Sequence, residues 1–80
     1  MRKIGSVNVY GLGTYTIYLN SKDSANPYWV YKEYYAPGRY GTTKRKNIQM
    51  KYANLSSCVQ LIENATRIAE TRRGDDWNDE

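Results

Sequence analysis

The sequence predicts an α+β fold, in which an antiparallel three- to four-stranded sheet packs on one C-terminal amphipathic helix. Residues 55–74 repeat apolar side chains at helical spacing, and the residues before them alternate with the period of two that is typical of strands. The length of 80 residues suits one such two-layer domain. We therefore assign residues 1–74 to a single domain and residues 75–80 to an acidic tail that we expect to be disordered.

The first strand region covers residues 4–19, where valines and then larger apolar residues alternate with polar ones. The sequence Gly11-Leu12-Gly13 interrupts it, and this leaves open a tight hairpin between two short strands or a bulge within one long strand. A polar loop over residues 20–27 leads into the next strand.

A second strand is predicted over residues 28–35, which are rich in aromatic residues that prefer pleated surfaces. Aromatic residues occupy both parities of this strand, so its orientation is ambiguous. If Val30 faces the helix, the outward residues are Trp29, Tyr31, Glu33 and Tyr35.

Residues 36–39 predict a type II turn, with proline and glycine at its two central positions. A basic, glycine-containing loop is expected over residues 39–46, and the third strand is expected over residues 43–53. One parity of that strand is predicted to meet the helix, namely Ile48, Met50 and Tyr52. The other parity is predicted to face solvent, together with Thr14, Thr16 and Tyr18, and consists of Thr43, Arg45, Asn47, Gln49 and Lys51.

The helix is the best-marked element of the sequence. Ser57 with Gln60 has the form of a capping box, although Ser56 is an alternative cap, and Gly74 suits the position just after a helix. Cys58 lies on its apolar half, which predicts a buried structural thiol and not a reactive one.

The placement of charge indicates a polyanionic partner. The net charge is +4, but four of the eight acidic residues lie in the last six positions, so residues 1–74 carry a net charge of +8. The chain has nine tyrosines, two tryptophans and no phenylalanine. Tyrosine suits half-exposed positions and stacks on unpaired bases, while lysine and arginine neutralise phosphates. The candidate contact residues are Arg39, Lys44, Arg45, Lys46 and Lys51 for phosphates, with Tyr31, Tyr40 and Trp29 for stacking or packing.

Other function classes find little support in the composition. With no histidine and one cysteine, the sequence predicts no metal site, no cofactor and no internal disulfide, and its carboxylates form no recognisable catalytic pair. We therefore expect a protein that is not an enzyme. The N-terminus lacks the apolar segment of a signal peptide, and no apolar run is long enough to span a membrane. We expect a cytoplasmic protein with no membrane partner.

Residues 28–69 read YWVYKEYYAPGRYGTTKRKNIQMKYANLSSCVQLIENATRIA, an aromatic strand, a glycine-containing turn, a basic strand and a serine-capped helix. This pattern resembles the three-stranded-sheet arm domains of phage-type integrases, whose sheet enters the DNA major groove while a helix supports its back. The chain also resembles small phage-encoded accessory proteins, including counter-defence (anti-CRISPR-like) inhibitors and antitoxin-like RNA binders. The resemblance implies a phage protein that acts in the host cytoplasm on nucleic acid or on a host protein.

Three functions remain open at this level. The leading hypothesis is a nucleic-acid-binding module, with RNA or single strands favoured and duplex DNA next. The alternative is an inhibitor that binds an acidic surface of a host enzyme or defence system through the tyrosine-rich strand or a sheet edge. A homodimer joined through an edge strand is the third.

Overall fold

The computed structural model describes the backbone of residues 1–78 and the side chains of residues 1–72. Four strands precede one helix along the chain. They are β1 (Arg2–Val9), β2 (Gly13–Leu19), β3 (Tyr28–Gly38), β4 (Gly41–Tyr52) and α1 (Leu55–Asn78). Within the described residues, no helix is both long enough and apolar enough to cross a membrane.

The four strands form one sheet in the order β1-β2-β3-β4, and each strand is antiparallel to its neighbours. The helix covers one face of this sheet. It starts beside the end of β4, and residues Thr66 and Ala69 lie next to Val9 at the end of β1, so α1 crosses the sheet from one edge strand to the other. The predicted α+β fold is confirmed, with four strands.

The core between sheet and helix is small. Its buried side chains are Val9, Tyr15, Ile17, Val30, Cys58 and Ile62, with Leu12, Tyr28, Tyr52, Leu61, Ala65 and Ala69 packed around them. The helix buries a narrower stripe than its apolar pattern predicts, because Val59 and Ile68 flank the contact and stay 43% and 51% exposed. Because the core is this small, each buried side chain contributes a large share of the free energy of unfolding.

Cys58 is fully buried, and its burial raises the pKa of its thiol. Because the reactive species is the thiolate, a raised pKa keeps the thiol protonated at neutral pH and slows its alkylation further. We expect iodoacetamide to modify the folded protein far more slowly than the protein in urea, with the rate rising as the pH rises. Mass spectrometry of timed samples measures this, and equal rates in the two states would contradict the buried position.

Both ends of α1 differ from the sequence prediction. The helix begins at Leu55, so Ser56 and Ser57 lie in its first turn, and Asn54 precedes it, a residue type that is favoured at the N-cap. The helix also continues past Gly74 to Asn78, because a glycine inside a helix costs only about 1 kcal/mol relative to alanine. Of the tail expected to be disordered, residues 75–78 have a helical backbone in this structure, and residues 79–80 lie outside the described part.

The first two strands form a tight hairpin, which decides between the two possibilities that the sequence leaves open. The Leu12 amide donates to the Val9 carbonyl oxygen at 3.0 Å and closes the turn. Gly13 then enters β2 with a φ of 136°, a conformation that favours glycine. A Cβ at this position would collide with the backbone carbonyl of Glu33 in β3, so the two strands approach each other closely here.

A bulge in β4 changes which residues face the helix. Val30 of β3 pairs with Met50, whereas the next residue, Tyr31, pairs with Ile48, so Gln49 is an extra residue in β4. Past this bulge the alternation reverses. The prediction that Thr43, Arg45, Asn47 and Ile48 keep the parity of a regular strand is therefore wrong. Ile48 lies on the face opposite the helix, and Thr43, Arg45 and Asn47 lie on the helix side of the sheet.

The β3–β4 turn also lies further along the chain than predicted. Ala36, Pro37 and Gly38 belong to β3, and the turn runs from Gly38 to Gly41, which has a φ of 113°. Pro37 is tolerated because β2 pairs with β3 only up to Glu33, so on that side of β3 no strand needs the missing amide. Residues 34–45 are therefore a two-stranded ribbon, termed the arm, where a type II turn over 36–39 and a basic loop were predicted.

Candidate functional site

The face of the sheet turned away from α1, termed the free face, gathers most of the aromatic and basic candidates. Residues directly opposite each other in paired strands point to the same side, so the register assigns its members. They are Lys3, Ser6, Asn8, Thr14, Thr16, Tyr18, Trp29, Tyr31, Glu33, Tyr35, Pro37, Thr42, Lys44, Lys46, Ile48 and Lys51.

Three aromatic rings form the centre of the free face. The Tyr18 and Tyr31 rings meet edge to face with their centroids 5.3 Å apart, and the Trp29 and Tyr31 centroids are 6.5 Å apart. The Trp29 indole N–H donates to the Asn26 carbonyl oxygen at 2.9 Å, which fixes its ring. All three side chains are half-buried, so they are held in place while part of each ring stays accessible.

Two lysines from β4 lie against these rings. The Lys46 Nζ donates to the Tyr18 hydroxyl at 3.0 Å and lies 5.1 Å from the Tyr31 centroid. The Lys51 Nζ lies 4.0 Å from the Trp29 centroid. The hydrogen bond to Tyr18 raises the pKa of Lys46, so this ammonium stays charged across the physiological range. Two cations thus lie against the cluster of three aromatic rings.

Glu33 is the one acidic side chain that the register assigns to the free face. Its Oε2 atom lies 3.0 Å from the Lys44 Nζ, and its Oε1 atom lies 3.9 Å from the Lys46 Nζ. The hydrogen bond from Lys44 lowers the pKa of Glu33 and raises that of Lys44, and the charges of Lys46 and Lys3 lower the Glu33 pKa further. Glu33 is therefore ionised at neutral pH and faces three lysines.

The arm extends beyond β2 as two strands of five residues each, about 16 Å at the usual rise of a strand. Tyr40 at its tip is 96% exposed and Tyr35 is 70% exposed. Arg39 and Tyr40 form the turn, and Lys44 lies on the free-face side of the arm. No acidic residue occurs in residues 34–45, so the arm is a cationic projection.

A second, smaller basic group lies on the helix side of the sheet. The Lys32 Nζ lies 5.9 Å from the Tyr15 centroid and 5.3 Å from the Tyr34 centroid, and Arg45 is directly opposite Tyr34. The Asn47 side-chain amide donates to the Tyr34 hydroxyl at 2.9 Å. Lys32 and Arg45 therefore point away from the free face.

The structure brings together Trp29, Tyr31, Lys44, Lys46 and Lys51 among the predicted site residues. It places Arg39 and Tyr40 apart from them, at the tip of the arm, and Arg45 on the opposite side of the sheet. The list of predicted contacts omitted Tyr18, Lys3 and Glu33. Strand alternation placed Tyr18 on the outward face, and Glu33 with it if Val30 faces the helix, but neither was named as a contact. Lys3 depends on a register shift in β1.

Among the residues that the structure describes, no group of histidine, cysteine, aspartate or glutamate side chains could hold a metal ion. No family model, characterised protein or solved structure matches the chain.

Proposed function

We propose that this protein is a non-enzymatic module that binds single-stranded nucleic acid, with RNA as the favoured ligand, on the free face of its sheet. The observation that carries the proposal is a cluster of three half-buried aromatic rings with two lysines lying against it, on one face of a four-stranded sheet. Unpaired bases stack on aromatic side chains and lysines neutralise the adjacent phosphates, which is the chemistry that this face offers.

The spacing of the rings supports this ligand class. Trp29 and Tyr31 are two residues apart on one strand, and their centroids are separated by 6.5 Å. This separation leaves room for one base to stack on Trp29 and a second base to stack on Tyr31. The lysines next to the rings have flexible four-carbon stems, so their ammonium groups can move from the rings to phosphate oxygens when bases arrive.

The charge of the free face supports a polyanion. Four lysines and one glutamate occupy it, namely Lys3, Lys44, Lys46, Lys51 and Glu33. The arm adds Arg39 and the exposed ring of Tyr40 at its tip. Duplex DNA is the second choice of ligand, because a two-stranded ribbon fits the major groove, which is about 12 Å wide.

The test measures binding of fluorescently labelled oligonucleotides of about twelve nucleotides by anisotropy, after a nuclease treatment and a high-salt wash. We expect single-stranded RNA to bind more tightly than duplex DNA or duplex RNA, with quenching of tryptophan fluorescence and a salt-dependent affinity. If duplex DNA binds more tightly than single-stranded RNA, the arm and not the free face is the binding site. Binding of none of these ligands would overturn the proposal.

One observation favours a second candidate, a protein-binding inhibitor of a host enzyme or defence system. The edge strand β4 has twelve residues, and all except Tyr52 at its end are exposed. An open edge of this length can pair with an extended segment of another protein, and its lysines and arginine favour an acidic one. If the nuclease-treated protein binds no oligonucleotide but retains an acidic protein from host extract, this second function replaces the first.

A further inference from the structure

The carboxylate of Glu33 lies where an anionic group of a ligand could be received by two lysines. Its two oxygens lie 3.0 Å from the Lys44 Nζ and 3.9 Å from the Lys46 Nζ. The Glu33 side chain is 23% exposed, against 59% for Lys44 and 45% for Lys46. The two ammonium groups therefore converge on an anion that is set deeper in the face than they are.

A phosphodiester presents the same arrangement as a carboxylate, because it also has two oxygens that share one negative charge. Lysine binds phosphate as a compact point charge and needs no fixed orientation. Lys44 and Lys46 each face one oxygen of the Glu33 carboxylate. Their ammonium groups can therefore bind the two non-bridging oxygens of a backbone phosphate in the same way.

Building on the proposed function, we propose that Glu33 is a stand-in for phosphate: a backbone phosphate of the bound strand takes the position of its carboxylate between Lys44 and Lys46. The location next to a ring supports this assignment. The Lys46 Nζ is 5.1 Å from the Tyr31 centroid, so a phosphate between the two lysines lies beside a base that is stacked on Tyr31. Lys44, Lys46 and Tyr31 then form the binding site for one nucleotide.

This arrangement gives Glu33 a role in selectivity. A ligand must displace the carboxylate before it can use Lys44 and Lys46, so an anion without a base for Tyr31 gains less than a nucleotide does. Glu33 thus imposes the same displacement cost on every polyanion, and only a ligand with an unpaired base offsets part of that cost by stacking on Tyr31.

The first test compares Glu33→Gln with the wild-type protein. Glutamine keeps the shape of the side chain and removes its charge, so the two lysines become available. We expect about fivefold tighter binding of an RNA oligonucleotide of uridines at about 0.1 M salt, and a salt slope steeper by about 0.7, because the displaced wild-type carboxylate takes up a cation that offsets one of the counterions released from the strand. Heparin, a polyanion without bases, should gain no more in affinity than the RNA does, because the carboxylate imposes the same displacement cost on both ligands.

The matched control is Glu63→Gln, which makes the same charge change on the exposed surface of α1 and should alter the affinity by less than about twofold. Unchanged or weaker RNA binding by Glu33→Gln would overturn the inference, since Glu33 would then only hold the lysines in place. If the wild-type protein binds RNA and the variant shows no gain, the inference fails alone. If the wild-type protein binds no RNA, the proposed function fails as well.

A second measurement uses the wild-type protein and does not depend on the folding of a variant. Carbon NMR of the Glu33 carboxyl group follows its pKa with and without RNA. In the free protein the pKa lies below its ordinary value because of the hydrogen bond from Lys44. A phosphate that takes over the lysines should raise the pKa, because it removes the hydrogen bond and adds a negative charge nearby. A pKa that does not rise in the complex would contradict the displacement.

Discussion

Replacing Lys46 and Lys51 together by glutamine is expected to weaken binding of single-stranded RNA about 25-fold at 0.1 M salt, and to reduce the salt slope by about 1.4. Each phosphate contact with a single strand contributes about 0.7 to the slope, so at 0.1 M salt each contact is worth about fivefold in affinity. Both lysines lie against the central rings of the free face, where we place the bound strand. Anisotropy titrations over a range of salt concentrations measure both quantities.

The matched control is the pair Lys32→Gln and Arg45→Gln, which removes the same charge from the opposite side of the sheet. It should lower the affinity by about threefold or less, because only a diffuse, screened attraction is lost. Equal losses of affinity in the two double variants would mean that RNA binding depends on the net charge of the protein and not on which face of the sheet carries it. A larger loss in the control would place the binding surface on the helix side.

Gly13→Ala is expected to destabilise the protein by about 2–4 kcal/mol, a large share of the stability of a domain of this size. Two costs combine at this position. The φ of 136° is strained for any residue with a side chain, and the new Cβ would collide with the Glu33 carbonyl in β3. Relief of the collision requires β2 and β3 to separate at the base of the arm. Urea denaturation followed by circular dichroism measures the change in the free energy of unfolding.

Gly5→Ala is the matched control for that substitution. Gly5 lies in β1, and a Cβ built there meets no atom within 4 Å. The alanine variant should differ from the wild-type protein by less than about 0.5 kcal/mol, since alanine also restricts the unfolded chain. If the two variants are equally stable, β2 and β3 do not approach each other at Gly13 as described.

Local patterns predicted the elements of this fold because each pattern acts within a few residues. The alternation of Tyr15, Ile17 and Leu19, and the helical repeat of Cys58, Ile62 and Ala65, were sufficient to place a sheet against a helix. For β3 the sequence left the orientation open and placed Trp29 and Tyr31 outward only if Val30 faces the helix; the buried position of Val30 decides this in favour of that choice. The placement of sheet and helix needed no long-range information.

The errors arise where pairing between strands overrides the local pattern. The bulge at Gln49 reverses the alternation in β4, and no residue near Gln49 marks it, so Arg45 and Ile48 were assigned to the wrong faces. The Pro37-Gly38 sequence suggested a turn, but β2 ends its pairing with β3 at Glu33, which lets proline stay in the strand. The ion pairs of Glu33 depend on the same register and could not be read from the sequence.

The central claim is that unpaired bases stack on the free face, and proton NMR of the aromatic side chains tests it most directly. On addition of single-stranded RNA, the account predicts upfield ring-current shifts for Trp29, Tyr31 and Tyr18, and little change for Tyr15 and Tyr52, which pack on the helix side. Shifts confined to the tip of the arm or to the helix side, with the Trp29 and Tyr31 rings unchanged in a saturated complex, would contradict it.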